Sequence, residues 1–254
     1  MTFKGLSGKV VVVTGAAQGI GAGYARRLVE EGSTVYFADR NVDGIRTAVD
    51  SAGDGPGKAI VAEVDVTSAD SCQQLAATIQ RDHGRLDGLL NNAAIFSTIT
   101  MKPFWEITEQ EWDALMAVNL KGPWLLTSTL LPLLRNSPSA SVVNIGSDAV
   151  LMGRPNYLHY VASKGGVQGM TYSMSRELGG FNIRVNTLSP GPVYTEVHRE
   201  TVTPQQREAM LAAQSLHRTA APEDMTALAA FLLSDESTYI TGQTYSVNGG
   251  LVHR

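Results

Sequence analysis

The sequence predicts an α/β protein in which one doubly wound parallel sheet carries helices on both faces. Apolar segments of strand length alternate with amphipathic segments of helical length from one end of the chain to the other. A glycine-rich turn directly follows the first apolar segment, which is typical of a strand that leads into a helix at a nucleotide site. At 254 residues, without repeats or linker-like segments, the whole range 1–254 is expected to form a single domain.

The seven predicted strands are short apolar segments rich in β-branched residues, and they cover residues 9–14, 34–39, 58–64, 86–91, 141–146, 183–189 and 244–247. The six predicted helices show apolar residues at helical spacing, and they cover residues 19–31, 42–52, 69–83, 108–135, 157–178 and 222–233. Pro123 and Pro132 predict a kink in the fourth helix near residues 121–122. Residues 190–221 show no clear pattern, so we expect them to form a mobile lid.

Composition excludes several classes of function. The chain is 43% hydrophobic and 17% charged, which favours a globular enzyme over a disordered chain. A net charge of −4 without a block of Lys and Arg argues against a nucleic-acid partner. No segment reaches the ~18 apolar residues of a membrane span, and no apolar leader precedes the first strand. Cys72 is the only cysteine and the five histidines lack ligand spacing, so we expect a cytoplasmic protein without a metal.

Tyr160, Lys164 and Ser147 form a candidate catalytic group. Tyr160 and Lys164 stand four residues apart within a predicted helix, and Ser147 lies thirteen residues before Tyr160. Residues at this helical spacing share one face, so the Lys164 ammonium can lie beside the Tyr160 phenol. A nearby cation favours phenolate, which would lower the pKa of the tyrosine. This arrangement suits proton transfer at a carbonyl or alcohol carbon.

The glycine-rich turn predicts a dinucleotide site. Gly15, Gly19 and Gly21 allow a tight turn and a close approach of the backbone to a pyrophosphate, with Gln18 and Ile20 between them. Asp39 ends the second predicted strand, 24 residues after Gly15. Its carboxylate can accept hydrogen bonds from a ribose diol and repel a 2′-phosphate, so NAD is favoured over NADP even though Arg40 follows it.

The spacing Gly-x3-Gly-x-Gly, the Tyr-x3-Lys pair and the upstream Ser together resemble the short-chain dehydrogenase/reductase family, essentially from end to end. The resemblance implies a Rossmann-like fold and a further set of cofactor and catalytic residues. It implies cofactor contacts, in addition to the glycine-loop residues, Asp39 and Arg40, from Asp65, Val66, Asn92, Ala93, Ala94, Tyr160, Lys164, Pro190, Gly191, Val193 and Thr195. It also implies a catalytic role for Asn119, as the anchor of a proton-carrying water. Ala94 and Asn248 depart from the family pattern, which has Gly and Asp there.

The implied reaction is hydride transfer between NAD(H) and a secondary alcohol or ketone. Tyr160 would take the alcohol proton, Ser147 would hold the substrate oxygen, and Lys164 would favour the phenolate and hold the nicotinamide ribose. Three alternatives stay open: an NADP-dependent reductase of ketones or 3-oxoacyl thioesters, a nucleotide-sugar dehydratase or epimerase, and a nucleotide-sensing protein that has lost catalysis. The second usually needs an additional substrate domain.

The substrate pocket and the oligomeric state follow from the same resemblance. The residues expected to face the substrate are Phe96, Val150, Leu151, Met152, Tyr157, Tyr194 and His198. They are mostly apolar or aromatic, which favours a cyclic or aromatic secondary alcohol. Glycines inside the helix that bears Tyr160, at Gly165, Gly166 and Gly169, predict close approach of another backbone. The resemblance implies that this approach is between copies of the chain, so we expect a homotetramer.

Overall fold

Seven parallel strands form one sheet at the centre of the molecule. The computed structural model describes residues 3–53, 55–197 and 203–253. The strand order is β3-β2-β1-β4-β5-β6-β7, and every neighbouring pair is parallel. The strands are β1 (Val10–Thr14), β2 (Thr34–Asp39), β3 (Lys58–Glu63), β4 (Gly88–Asn91), β5 (Ala140–Ile145), β6 (Ile183–Pro190) and β7 (Thr244–Val247). The predicted doubly wound, single-domain α/β fold is therefore confirmed.

Helices cover both faces of this sheet. They are α1 (Gly19–Glu30), α2 (Val42–Asp50), α3 (Ala69–Asp82), α4 (Glu109–Met116), α5 (Gly122–Arg135), α6 (Ala149–Met152), α7 (Leu158–Leu178), α8 (Pro204–Ala213) and α9 (Glu223–Leu233). Within the described ranges, no helix combines the length and apolar character needed to cross a bilayer.

Alternation along β1 shows how the two faces are filled. Val11 and Val13 belong to a buried cluster that includes residues of α1, α2 and α9. Val10 and Val12 belong to a second buried cluster that includes residues of α3 and α5. Successive side chains of a strand point to opposite faces, so a strand buried on both sides is apolar at every position. This explains why β1 appears in the sequence as a continuous apolar segment.

The predicted fourth helix is divided by a π-helical turn at Ala117–Lys121, between α4 and α5. The N–H of Gly122 donates to the carbonyl of Ala117, five residues earlier. Pro123 has no N–H to donate to the carbonyl four residues before it, so a regular α-helix loses a hydrogen bond at this point. The wide turn lies at the predicted kink and carries Asn119, and π-turns of this kind often occur at functional sites.

Helix α8 lies within the segment 190–221, where the sequence analysis found no pattern. Thr203 caps it by accepting a hydrogen bond from the N–H of Gln206, whose side chain accepts in return from the N–H of Thr203. Thr203-Pro204 followed by Gln206 is a capping-box sequence with proline at the first helical position, so a signal for this helix was present. His198 lies outside the described residues. The lid remains a prediction.

A buried chain of polar side chains attaches α7 to the sheet. Asn91 of β4 donates through Nδ2 to Oδ1 of Asn144 in β5, at 2.9 Å. Asn144 donates to Oγ1 of Thr171 in α7, at 2.9 Å, and Thr187 of β6 donates to the same oxygen, at 2.8 Å. Buried hydrogen bonds of this kind are costly to leave unmade, so they set the position of α7 on the strands. Helix α7 carries Tyr160 and Lys164.

Candidate active site

A cavity of about 510 Å³ opens at the carboxyl ends of the central strands. It lies where β1 has β2 on one side and β4 on the other, which is the point at which the strand order reverses. Ligands of open α/β sheets bind in the crevice at such a point. The cavity lining includes every residue expected to contact the cofactor: Gly15, Gln18, Gly19, Ile20, Gly21, Asp39, Arg40, Asp65, Val66, Asn92, Ala93, Ala94, Tyr160, Lys164, Pro190, Gly191, Val193 and Thr195.

The glycine loop between β1 and α1 is tightly packed. Gly15 has φ +66°, a conformation that residues with a side chain rarely adopt, and a Cβ on it would lie 2.9 Å from Cα of Ala93. A Cβ on Gly21 would collide with the carbonyl oxygen of Gly15. Asn92 holds the turn by donating to the carbonyl of Thr14 at 2.9 Å. Only glycine fits these two positions, and the loop can approach a pyrophosphate closely.

A carboxylate already lies against this loop. Oε1 of Glu196 accepts a hydrogen bond from the backbone N–H of Gly19 at 2.7 Å, at the N-terminus of α1. The neighbouring Thr195 also approaches the loop, because a Cβ on Gly19 would lie 3.7 Å from its Oγ1. The N–H groups at a helix N-terminus favour an anion, and here the Glu196 side chain is bonded to one of them. The loop therefore fits the negatively charged pyrophosphate of a dinucleotide.

Asp39, the last residue of β2, lines one end of the cavity. Asp39 accepts hydrogen bonds from the N–H of Ala17 at 3.3 Å and from the N–H of Asn41 at 3.0 Å. Asp65 accepts from the hydroxyl and the N–H of Thr67, and these bonds lower the pKa of its carboxyl. The positive charge of Arg40 lowers that pKa further. The carboxylates of Asp39 and Asp65 and the guanidinium of Arg40 thus line this end of the cavity.

Lys164 and Tyr160 come together as their helical spacing predicts. Nζ of Lys164 lies 5.8 Å from the centroid of the Tyr160 ring and donates to the carbonyl of Ile145 at 2.8 Å. Both side chains are buried. Burial lowers the pKa of Lys164 to about 8, because the charged ammonium is removed from water. Because the buried ammonium has lost its hydration by water, it is strongly attracted to any negative charge that develops nearby.

Ser147 follows β5 and lines the same cavity as Tyr160. Its Oγ accepts a hydrogen bond from the N–H of Ala149 at 3.2 Å, which leaves the hydroxyl hydrogen available to a substrate oxygen.

Asn119 is placed differently, because it is buried beside the cavity and does not belong to its lining. Its amide accepts from the N–H of Ile95 at 2.8 Å and donates to the carbonyl of Ile95 at 3.1 Å. Asn119 thus secures the segment after Asn92.

The Asn248 departure is explained by the residue that follows Ser147. Asp148 is fully buried, and its carboxylate accepts from Nδ2 of Asn248 at 2.6 Å and from the hydroxyl of Ser246 at 2.8 Å. An acid at position 248 would face a second buried carboxylate, so an amide is required there. The N–H of Asp148 also donates to the carbonyl of Pro190 at 3.0 Å. Asp148 therefore connects the segment that follows Ser147 to the loop that starts at Pro190. Ala94, the other departure, is exposed on the cavity wall, where its methyl group finds room.

The substrate side of the cavity contains part of the predicted pocket. Phe96, Met152 and Tyr157 line it, and the rings of Phe96 and Tyr160 have centroids 5.1 Å apart. The lining does not include Val150, Leu151 or Tyr194. Helix α6 is a single turn, so Ala149 and Met152, three residues apart, share the face toward the cavity while the two residues between them do not. Tyr194 stacks instead under the guanidinium of Arg207, at 4.1 Å.

Several residues at the site were not predicted from the sequence. Arg154 and Met210 line the cavity, Glu196 contacts the glycine loop, and Asp148 supports the serine. Asp148 pairs with a residue 100 positions later, so local spacing carries no signal for it. Arg154 lies between Ser147 and Tyr160 in the sequence. A basic residue between two predicted site residues was the signal from which its place in the cavity could have been predicted.

A glycine loop after β1, an acidic residue at the end of β2 and a crevice at the reversal of strand order are features of Rossmann-like nucleotide-binding folds. Comparison with known proteins agrees. A family model described as enoyl-(acyl carrier protein) reductase matches residues 15–252.

Two relatives and one solved structure illustrate the similarity. The chain is 37% identical over 247 residues to the 3-oxoacyl-(acyl-carrier-protein) reductase FabG of Thermotoga maritima, covering 97% of this chain and 99% of that protein. It is 35% identical over 243 residues to a cyclopentanol dehydrogenase of a Comamonas species, covering 95% and 96%. A solved short-chain dehydrogenase/reductase from Brucella melitensis, titled glucose/ribitol dehydrogenase, superposes with a TM-score of 0.92 at 30% identity, covering 100% of both chains.

The chain therefore belongs to the short-chain dehydrogenase/reductase family. Members of this family are oxidoreductases that act on CH–OH or keto groups and use nicotinamide cofactors.

Proposed function

We propose that this protein transfers a hydride between NAD(H) and a secondary alcohol or ketone. The observation that carries the proposal is the presence of Ser147, Tyr160 and Lys164 on one cavity with the glycine loop and Asp39. The first three supply acid/base chemistry at a carbonyl or carbinol, and the rest suit a dinucleotide. Asn119, Ser147, Tyr160 and Lys164, the four proposed catalytic residues, are all present in this sequence. The alternative of a nucleotide sensor without catalysis is therefore disfavoured.

The residues divide the chemistry between them. Ser147 donates a hydrogen bond to the substrate oxygen and stabilises the charge that develops on it. Tyr160, as phenolate, takes the alcohol proton in the oxidation direction and returns it in reduction. A bound nicotinamide cofactor would supply the hydride chemistry. Lys164 favours the phenolate through its charge, and a pKa of about 8 allows it to release and regain a proton near neutral pH. Asn119 keeps the cavity wall at Ile95 in place.

Asp39 is the basis for preferring NAD. Its carboxylate at the end of β2 repels a 2′-phosphate and can accept hydrogen bonds from a ribose diol. We expect kcat/KM with NAD to exceed that with NADP by at least about tenfold, or ~1.4 kcal/mol. The Asp39→Ala variant should narrow this difference, because Arg40 can then meet a 2′-phosphate without a competing charge. Equal or better use of NADP by the unchanged protein contradicts the assignment.

A second candidate is an NADP-dependent reductase of ketones or 3-oxoacyl thioesters. Two observations favour it: Arg40 lines the cavity beside Asp39, and one relative is named a 3-oxoacyl-(acyl-carrier-protein) reductase. For the first candidate, a cyclic or aromatic alcohol as the substrate is supported by two observations. Phe96, Met152 and Tyr157 form an apolar wall of the cavity, and one relative is named a cyclopentanol dehydrogenase. A panel of secondary alcohols with NAD, with NADH absorbance as the readout, tests the proposal, and 3-oxoacyl thioesters with NADPH test the alternative.

We also propose a homotetramer that works in the cytoplasm, with residues 190–221 as its substrate lid. A Cβ on Gly165 or Gly169 would have no neighbour within 4 Å, so packing within the chain does not require glycine there. Close to them, Trp124 is half exposed in a groove that Met170 also lines. Packing of these helices against a second copy would use both features. In light scattering, a particle near 27.1 kDa would contradict the tetramer, and one near four times that mass would support it.

A further inference from the structure

Arg154 places a positive charge on the substrate side of the cavity. After α6 the chain turns through Gly153, which has φ +55°, and Arg154 then lines the cavity together with Ser147 and Tyr160. Its side chain is half-buried. The guanidinium carbon lies 4.9 Å from the centroid of the Tyr157 ring, and Nη2 donates to Sδ of Met101 at 3.7 Å.

This charge has no acidic partner among the residues that the structure describes. Of the ion pairs within them, none includes Arg154. The nearby Lys102 pairs with Glu111 at 2.6 Å, and the carboxylate of Asp148 is engaged by Asn248 and Ser246. A thioether is only a weak acceptor, so the planar fork of Arg154 keeps most of its five N–H groups for another ligand.

The aromatic residues hold the guanidinium at a set distance from the reaction centre. Arg154 stacks on Tyr157, and the Tyr157 and Tyr160 rings have centroids 4.9 Å apart. One aromatic ring therefore separates the cation from the phenol. A substrate whose carbinol oxygen meets Tyr160 and Ser147 could place an anionic group at Arg154 if that group were a few bonds away. Arginine forks of this kind bind carboxylates through two parallel hydrogen bonds.

We propose that Arg154 binds a carboxylate of the substrate, so that the physiological substrate is a hydroxy acid and its oxidised form an oxo acid. This inference rests on the proposed dehydrogenase function and makes its substrate class specific. The apolar wall of Phe96 and Tyr157 would contact the carbon skeleton between the two polar ends. Arg40 lines the cofactor end of the cavity, and Arg154 is the arginine that lines it beside Phe96, Met152 and Tyr157.

Matched pairs of alcohols test the proposal with NAD as the oxidant. One pair is 1-phenylethanol and 4-(1-hydroxyethyl)benzoate, and another is cyclohexanol and 3-hydroxycyclohexanecarboxylate. We expect kcat/KM to be at least about tenfold higher for the carboxylated member of one or both pairs, as a charge-assisted hydrogen bond would produce. The preference should weaken as salt is added, because the interaction is between opposite charges.

Variants separate charge recognition from simple packing. In Arg154→Met the ratio of kcat/KM, carboxylated over neutral, should fall to about one, and Arg154→Lys should retain part of it. The matched control is Arg46→Met, which removes the same charge from an exposed arginine on α2 and should keep the ratio of the unchanged protein. If Arg154 only supported Tyr157, Arg154→Met would lower both rates together and keep the ratio, and that result would overturn the proposal.

The remaining outcomes distinguish this proposal from the function on which it depends. Oxidation of the neutral alcohols without any preference for carboxylates would overturn the role of Arg154 and leave the dehydrogenase standing. Failure to oxidise any alcohol or reduce any ketone with either cofactor would overturn the proposed function itself. Best turnover with a 3-oxoacyl thioester, lost in Arg154→Met, would show that the arginine serves a thioester substrate and would refute the carboxylate assignment.

Discussion

Replacing Lys164 by Met should make the protein more resistant to unfolding as the pH is lowered, relative to the unchanged chain, while destroying its activity. Lys164 is 3% exposed and its ammonium is held by the carbonyl of Ile145 at 2.8 Å. Methionine has a similar length and no charge, so the variant removes the buried ammonium with little change of volume. We expect turnover to be lost and NADH to bind more weakly, because the same side chain is proposed to hold the nicotinamide ribose.

The magnitude follows from the pKa of Lys164. Burial lowers it from 10.5 to about 8, which corresponds to a cost of roughly 3 kcal/mol for keeping the ammonium charged in the folded state at neutral pH, at ~1.36 kcal/mol per pKa unit. Below pH 8 both the folded and the unfolded chain carry the proton, and the full cost applies. As the pH rises above 8, the folded protein releases this proton before the unfolded chain does, so the cost shrinks and vanishes above 10.5.

Between pH 7 and pH 9 this cost should fall by about 1 kcal/mol. The variant lacks the group, so its advantage over the unchanged protein should decrease by the same amount over this range, or about 2–4 °C in Tm for a protein of this size. Loss of the hydrogen bond to Ile145 offsets part of the advantage at every pH, by about 1–3 kcal/mol. The change of the difference with pH is therefore a sharper readout than its value at one pH.

Thermal unfolding of the cofactor-free proteins at pH 7, 8 and 9 provides the measurement, and each Tm of the variant is compared with that of the unchanged chain. Lys58→Met is the control, because it makes the same chemical change at an exposed residue of β3. The reasoning is refuted if the Tm difference for Lys164→Met is constant between pH 7 and 9, or if it grows in favour of the variant as the pH rises.

Three further predictions concern the site. Tyr160→Phe should lower turnover to less than about a tenth while NADH affinity, measured by fluorescence, stays close to that of the unchanged protein, because only the proton-transfer group is lost. Asn248→Asp should face the buried Asp148 with a second carboxylate and cost about 3 kcal/mol of the free energy of unfolding at neutral pH; an unchanged Tm would contradict this. Glu196→Gln should tighten NADH binding by about 3- to 10-fold, because a carboxylate on the N–H of Gly19 competes with the pyrophosphate; equal or weaker binding in titrations would show that Glu196 does not compete.

The central strands were predictable because β1, β4, β5 and β6 are buried along their whole length, on both faces of the sheet. Residues 34–39 and 244–247 were predicted with the bounds that the structure has, since apolar β-branched segments between turn residues have few alternatives. The long helix predicted at 108–135 proved to be two helices joined by a π-helical turn at Ala117–Lys121. Its position near residue 121 could be expected from Pro123, but the type of turn depends on how α4 and α5 pack.

The candidate site shows the same division. The glycine loop, Asp39 and the pair Tyr160 and Lys164 are recognisable from spacing, because the first two lie on consecutive elements and the last two lie one helical turn apart. The placement of Asn119 against Ile95 was not recognisable, nor was the absence of Val150 and Leu151 from the lining. In a helix of one turn, the face that meets the cavity is decided by the turns on either side.

By itself, then, the sequence determined a parallel sheet, a glycine-rich loop after the first strand and the positions of the proposed acid/base residues, since these depend on periodicity and on contacts close in sequence. Tertiary structure decided which side chains meet across long separations. Asp148 contacts Asn248, 100 positions later, Glu196 accepts from the N–H of Gly19, and the guanidinium of Arg154 faces the Tyr157 ring. Charges and hydrogen bonds act over a few ångströms in space, whatever the separation along the chain, so these contacts exist only once the sheet and its helices have brought the loops together.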